Sequence, residues 1–203
     1  METQTKLIQD SQTPFGVLEM LKEGNKRFLA NNKSPRDLNE QVSETSNGQF
    51  PHAVVLSCID SRVPVELVFD QGIGDIFSAR VAGNIVNADI LGSIEYGCKV
   101  AGSKLVVVMG HTKCGAVTAA CKRVELGNIT ELLSKILPAV DQILGDKEVV
   151  TPEEIEQVSE LNVLKTIEKM KNDSSILNEM HKEGAIQIVG AVYDVATGIV
   201  KFL

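Results

Sequence analysis

Two apolar runs, 53–57 (AVVLS) and 104–110 (KLVVVMG), constrain this chain more than any other feature. Neither is polar on alternate residues, as a strand with one wet face would be, so both call for cover on two faces. Between and after them lie a further strand-like run, 75–81 (DIFSARV), a helical stretch 88–101 carrying Ile90, Leu91, Ile94 and Val100, and a helix opening at Gly115. Apolar strands alternating with helices predict an α/β fold: a mostly parallel central sheet flanked by helices. With 43% hydrophobic residues, 23% charged residues and only six prolines in 203, the composition supports one compact domain rather than a disordered or fibrous chain.

The rest of the chain divides around that core. Thr13-Pro14 is a cap followed by a residue suited to a first helical turn, and Val17, Leu18, Leu21 and Phe28 share one stripe, which predicts an amphipathic helix over 14–31. Residues 32–50 read as a polar connecting arm, so that 1–50 forms an N-terminal helical arm and 51–124 the α/β core. The segment 125–183 reads as helices, with Thr151-Pro152-Glu153-Glu154 a strong start signal and Gly184 a stop. The final residues, 184–203, give two strand-like runs around Ala196-Thr197-Gly198, a C-terminal edge hairpin.

Charge narrows the partners. The net −7 arises almost wholly in 125–183, where 13 acids face 6 bases, while 1–124 carries 13 of each. A solvated acidic helical surface is the reading for that segment. With no basic tract and eight aromatic residues, none of them Trp, the chain lacks both the phosphate-neutralising patch and the stacking platforms of a nucleic-acid binder. No apolar run approaches the roughly 20 residues of a membrane span, and the first residues lack the apolar core of a signal peptide, so a cytoplasmic location is expected.

The chemistry gathers at two strand ends. Strand 53–57 runs directly into Cys58-Ile59-Asp60-Ser61-Arg62, and strand 104–110 into His111-Thr112-Lys113-Cys114. Open α/β sheets place their sites at this carboxyl edge, where side chains converge on a crevice. Cys58, His111 and Cys114 together offer the thiolate and imidazole donors that Zn²⁺ prefers, and three protein ligands leave a fourth position open. Cys98 and Cys121 lack this setting and read as core thiols, and His52 and His181 as loop or solvated histidines. Gly72-Ile73-Gly74 lacks the third glycine of a dinucleotide fingerprint, and Gly110–Gly115 lacks the Lys-Ser/Thr that would continue a P-loop, so neither NAD nor ATP is indicated. The absence of a Cys-x-x-Cys pair argues against a thiol redox enzyme.

The stretches CIDSRVP (58–64), ARVAGN (79–84), SIEYGCKVAGSKLVVVMGHTKCGAV (93–117) and GAVYDVATGIVKFL (190–203) resemble the β-class carbonic anhydrases of the open-site branch. The likeness runs from about Gln49 to Gly127 and over the last twenty residues. It implies one Zn²⁺ per chain held by Cys58, His111 and Cys114, beside a catalytic pair, Asp60 and Arg62. The reaction it implies is reversible hydration of CO₂ to bicarbonate and a proton by attack of a zinc hydroxide. It also implies a substrate pocket of Gln49, Phe77, Ala82 and Tyr96, contributed partly by a second subunit, hence a homodimer or higher even oligomer with the N-terminal helix wrapped over its partner. In some family members the aspartate closes the site as a fourth ligand, a state Asp60 could adopt. Two alternatives use the same residues: hydrolysis of COS or CS₂, and a non-catalytic structural or redox zinc centre. The branch regulated by bicarbonate carries a tryptophan before the zinc cysteine, where this chain has Val55.

Overall fold

The computed structural model describes residues 3–147 and 149–203. A five-stranded sheet runs in the order β2-β1-β3-β4-β5, with β1 (Ala53–Ser57), β2 (Ile76–Arg80), β3 (Leu105–His111), β4 (Gln187–Tyr193) and β5 (Val200–Phe202). The first four strands are mutually parallel; β5 returns antiparallel along β4 and closes one edge. The C-terminal hairpin is therefore present, and its first strand is also an interior strand, paired with β3 over seven residues from Leu105↔Gln187 to His111↔Tyr193.

The two-sided burial expected of the apolar runs follows from the pleat. Ala53 and Val55 lie with Leu105, Val107 and Met109 on one face, against Val17 and Leu21 of helix α2 (Pro14–Leu29) and Val65 and Val68 of α4 (Val65–Val68). Val54, Leu56, Val106 and Val108 face the other way, onto α5 (Ala88–Glu95), α9 (Pro152–Asp173) and α10 (Ser175–Lys182). A third cluster, built from α6 (Gly115–Cys121), α7 (Gly127–Ser134), α8 (Leu137–Leu144) and the start of α9, packs beyond the carboxyl edge of the sheet and includes Cys58 and Cys114. Cys98 and Cys121 are buried, as core thiols should be. Helix 88–101 stops being α-helical at Tyr96 and continues as a π-helical turn, Tyr96–Val100.

The N-terminal arm departs from the sequence reading in two places. A short helix, α1 (Lys6–Ser11), forms behind the Thr5 cap, and the supposed connector 32–50 contains α3 (Leu38–Thr45), capped by the Asp37 carboxylate on the N–H groups of Asn39 and Glu40. Helix α2 itself ends at Leu29, with Asn31 in the left-handed region at φ 49°. The arm is bolted down by buried Asp70, which accepts from Arg27 Nε (2.6 Å), Arg36 Nη1 (2.7 Å) and the Ser34 N–H (3.0 Å). His52 is not a loop histidine: it is fully buried, and Gln4 hydrogen-bonds its Nδ1. Its backbone bridges β2 and β3, accepting from the Lys104 N–H and donating to the Asp75 carbonyl. Burial pushes its pKa down. Position ahead of a strand misled here, because the arm folds over that end of the sheet.

Candidate metal centre and active site

Parallel register brings the two motifs together. Ser57 pairs with Met109, so Cys58, the first residue beyond β1, stands beside Gly110 and His111, the last residues of β3. The chain then turns through Lys113, a non-glycine residue at φ 55°, and delivers Cys114 as the cap residue of α6. The result is one buried group: the candidate ligand atoms of Cys58, His111 and Cys114 all lie within 4.8 Å of one another.

The details of this group suit a metal. His111 Nδ1 lies 2.9 Å from the Thr112 carbonyl, which can only accept, so the proton sits on Nδ1 and Nε2 is left with its lone pair. That Nε2 is buried without a hydrogen-bond partner, a costly state for a polar atom unless something binds there. The Cys114 sulfur beside Cys58 brings the Cys58 pKa down to about 4 against the opposing effect of burial, with His111 and the Gly83 N–H (3.4 Å from Sγ) adding to the shift. Cys114 is pushed up, by the Cys58 sulfur beside it and by burial. Two sulfurs thus compete for one negative charge, and a dication at their centre removes the competition. The donor set, Cys₂His, is the one Zn²⁺ takes.

Asp60 stands beside this group and is turned onto Arg62. The guanidinium grips the carboxylate with Nε to Oδ1 (2.9 Å) and Nη2 to Oδ2 (2.7 Å), and the Arg62 N–H adds a third bond to Oδ1 (2.9 Å). These bonds hold the Asp60 carboxyl well below the usual carboxylate range. Its Oδ2 is 3.9 Å from His111 Nε2. Arg80, which sequence reasoning passed over within ARVAGN, clamps the backbone of the first motif: Nε donates to the Cys58 carbonyl (3.0 Å) and Nη2 to the Asp60 carbonyl (2.6 Å). Its place at the end of β2, level with Ser57, was the available signal.

The proposed pocket residues divide. Ala82 opens the 3₁₀ turn Ala82–Asn84 and adjoins Gly83, whose N–H reaches Cys58. Phe77 and Tyr96 pack edge-to-face with ring centroids 6.2 Å apart and line a groove of about 780 Å³ outside the edge strand β2. Gln49 is exposed at the end of the arm, in a second groove with Ile73 and Gly74, ahead of β2. Within one chain, then, Gln49, Phe77 and Tyr96 line grooves that do not contain the Cys58/His111/Cys114 group.

A mostly parallel sheet with a Cys₂His group and a carboxylate–guanidinium pair at its carboxyl edge is an α/β arrangement whose donors could hold a metal ion. Residues 53–200 match the family model described as carbonic anhydrase. Carbonic anhydrase 2 of Mycobacterium tuberculosis is 34% identical over 191 residues, covering 91% of this chain and 90% of the relative. The carbonic anhydrase of Mycolicibacterium smegmatis is 32% identical over 197 residues, 94% of each chain. Among solved structures, a β-carbonic anhydrase of Aspergillus fumigatus superposes with a TM-score of 0.74 at 27% identity, covering 93% of this chain and 89% of that one. The chain belongs to the carbonic anhydrase family and is an enzyme of its β class, whose general reaction is the hydration of CO₂. Among the described residues no helix is long and apolar enough to cross a membrane.

Proposed function

We propose that this chain catalyses the reversible hydration of CO₂ to bicarbonate and a proton at a zinc centre held by Cys58, His111 and Cys114, with the fourth position open. The observation that carries the reading is the engagement of Asp60: both carboxylate oxygens are taken by Arg62 while His111 Nε2 is left without a partner. Cys58, His111 and Cys114 would hold the ion, which when bound would supply Lewis-acid activation of water near neutral pH. The remaining work falls to the protein. Asp60, kept ionised by Arg62, accepts a hydrogen bond from the attacking oxygen and aims its lone pair at the substrate carbon. Arg62 also donates to the Lys113 carbonyl (3.3 Å), so the same guanidinium that orients Asp60 ties it to the His111–Cys114 turn.

The substrate side is completed by a second copy of the chain. CO₂ carries no net dipole and suits an apolar pocket with one amide donor; Phe77, Tyr96 and Gln49 offer those groups but line grooves of their own chain that do not contain the Cys58/His111/Cys114 group. A homodimer, or an even oligomer built from it, supplies them across the interface, with Ala82 beside the metal on the near side. Four free cysteines suit a reducing cytoplasm.

Cobalt substitution tests the open site. A visible spectrum that changes as pH is raised from 6 to 9 reports an exchangeable fourth ligand. A spectrum constant over that range would mean that Asp60 has closed the centre, and would move the chain to the non-catalytic reading.

A further inference from the structure

The acidic segment is more than a solvated surface. On α9, Glu156, Ser159 and Asn162 recur every three residues and so occupy one helical stripe. Two of them reach the His111–Cys114 turn and the third reaches the turn at Gly83. Glu156 Oε1 accepts the Lys113 N–H (2.8 Å), Ser159 Oγ donates to the His111 carbonyl (3.2 Å), and Asn162 Nδ2 donates to the Gly83 carbonyl (2.9 Å). Gly83 in turn directs its own N–H at Cys58 Sγ. Ser159 and Asn162 are 2% and 1% exposed and sit among fully buried Val158 and Val163, positions where an apolar side chain would avoid the desolvation cost that the polar ones incur.

The helix can come this close at Val163 because the sheet beneath it carries glycine at Gly110 and Gly190. A Cβ added at Gly110 would stand 2.8 Å from Val163 Cγ2, and one at Gly190 would stand 2.9 Å from Val163 Cγ1. The stripe also braces a strained point: Lys113 holds φ 55° with its N–H on Glu156 and its carbonyl on Arg62. A left-handed non-glycine residue persists where its surroundings fix it from several sides.

We infer that α9 is the positioning element of the metal centre, Glu156 and Ser159 fixing the His111–Cys114 turn and Asn162 the Gly83 turn so that Cys58, His111 and Cys114 stand in ligand geometry before a metal arrives. This inference rests on the zinc reading of the site. Its test is the rate at which zinc-loaded protein surrenders the ion to a chromogenic chelator, measured alongside thermal unfolding. Glu156→Ala should speed release about 10- to 100-fold, the usual effect of losing a group that orients metal ligands. Glu156→Gln, which keeps a carbonyl acceptor for the Lys113 N–H, should recover most of the loss. Met170→Ala, a core truncation on the same helix within the cluster of Val54, Leu56 and Val108 rather than that of Cys58 and Cys114, should lower the melting temperature and leave the release rate alone. Release from Glu156→Ala at the unaltered rate would overturn the inference, as would equal acceleration by Met170→Ala. Unaltered protein that retains no zinc would instead overturn the metal reading, and the inference with it.

Discussion

Gly83→Ala probes how tightly the metal centre is packed. Gly83 holds φ +69°, and an added Cβ would lie 2.6 Å from Ile136 Cδ1 and 3.4 Å from Ala116 Cβ. A left-handed alanine costs about 1–2 kcal/mol. Forcing a methyl against the tip of Ile136, itself 0% exposed, adds roughly 1–3 kcal/mol of overpacking. The expected loss is therefore about 2–5 kcal/mol, at about 2–4 °C of melting temperature per kcal/mol for a domain of this size. Relief of the clash also swings the Gly83 N–H away from Cys58 Sγ, now 3.4 Å distant, so zinc release should accelerate together with the loss of stability. Urea unfolding and chelator competition on one preparation measure both. A change below about 0.5 kcal/mol with zinc release unaltered would show that the turn relaxes freely and that its hydrogen bond to Cys58 holds nothing in place.

Four further outcomes are expected. Cys58→Ala or Cys114→Ala should abolish bound zinc and activity together, checked by metal analysis and CO₂ hydration on the same sample. Asp60→Asn should keep its zinc and lose activity by about 10- to 100-fold; full retained activity would remove the orienting role of Asp60. Asp70→Asn should destabilise the fold by about 3 kcal/mol by leaving Arg27 and Arg36 without their shared carboxylate. Burial alone would raise the Asp70 pKa, but Arg27, the Ser34 N–H and Arg36 prevail and hold it at about 2. Because the folded value is depressed, its contribution is present in full above the unfolded value near 4 and fades as pH falls toward 2; the stability gap between the Asp70→Asn variant and the parent should close over that interval in denaturant titrations. Lastly, on the proposal that a second copy completes the pocket, serial dilution to single chains, followed by light scattering, should extinguish activity.

The sheet and its carboxyl-edge motifs were legible because both signals are local. A run such as VVVM cannot be half solvated, and Cys58 and His111 sit within one residue of strands whose direction the α/β pattern fixes. Cys114 follows from the spacing of His-x-x-Cys. The arm was less legible: Asp37 is an ordinary cap signal, but it lies in a polar stretch whose helix buries only Gln41 and therefore shows no apolar period. His52 was misread for a related reason, since the residues that bury it, Gln4 among them, come from the far end of the chain. In the acidic segment the negative charge is spread over several helices, α9 itself carrying six acids against three bases, while its hydrogen bonds to the His111–Cys114 and Gly83 turns come from a serine, an asparagine and one glutamate, which no charge count separates from their neighbours.

Stopped-flow CO₂ hydration between pH 6.5 and 9, on protein whose zinc content has been quantified, tests the central claim most directly. The account predicts activity proportional to bound zinc, rising with pH through a single ionisation and absent from the Cys114→Ala variant. One zinc per chain with no hydration at any pH in this range would contradict it.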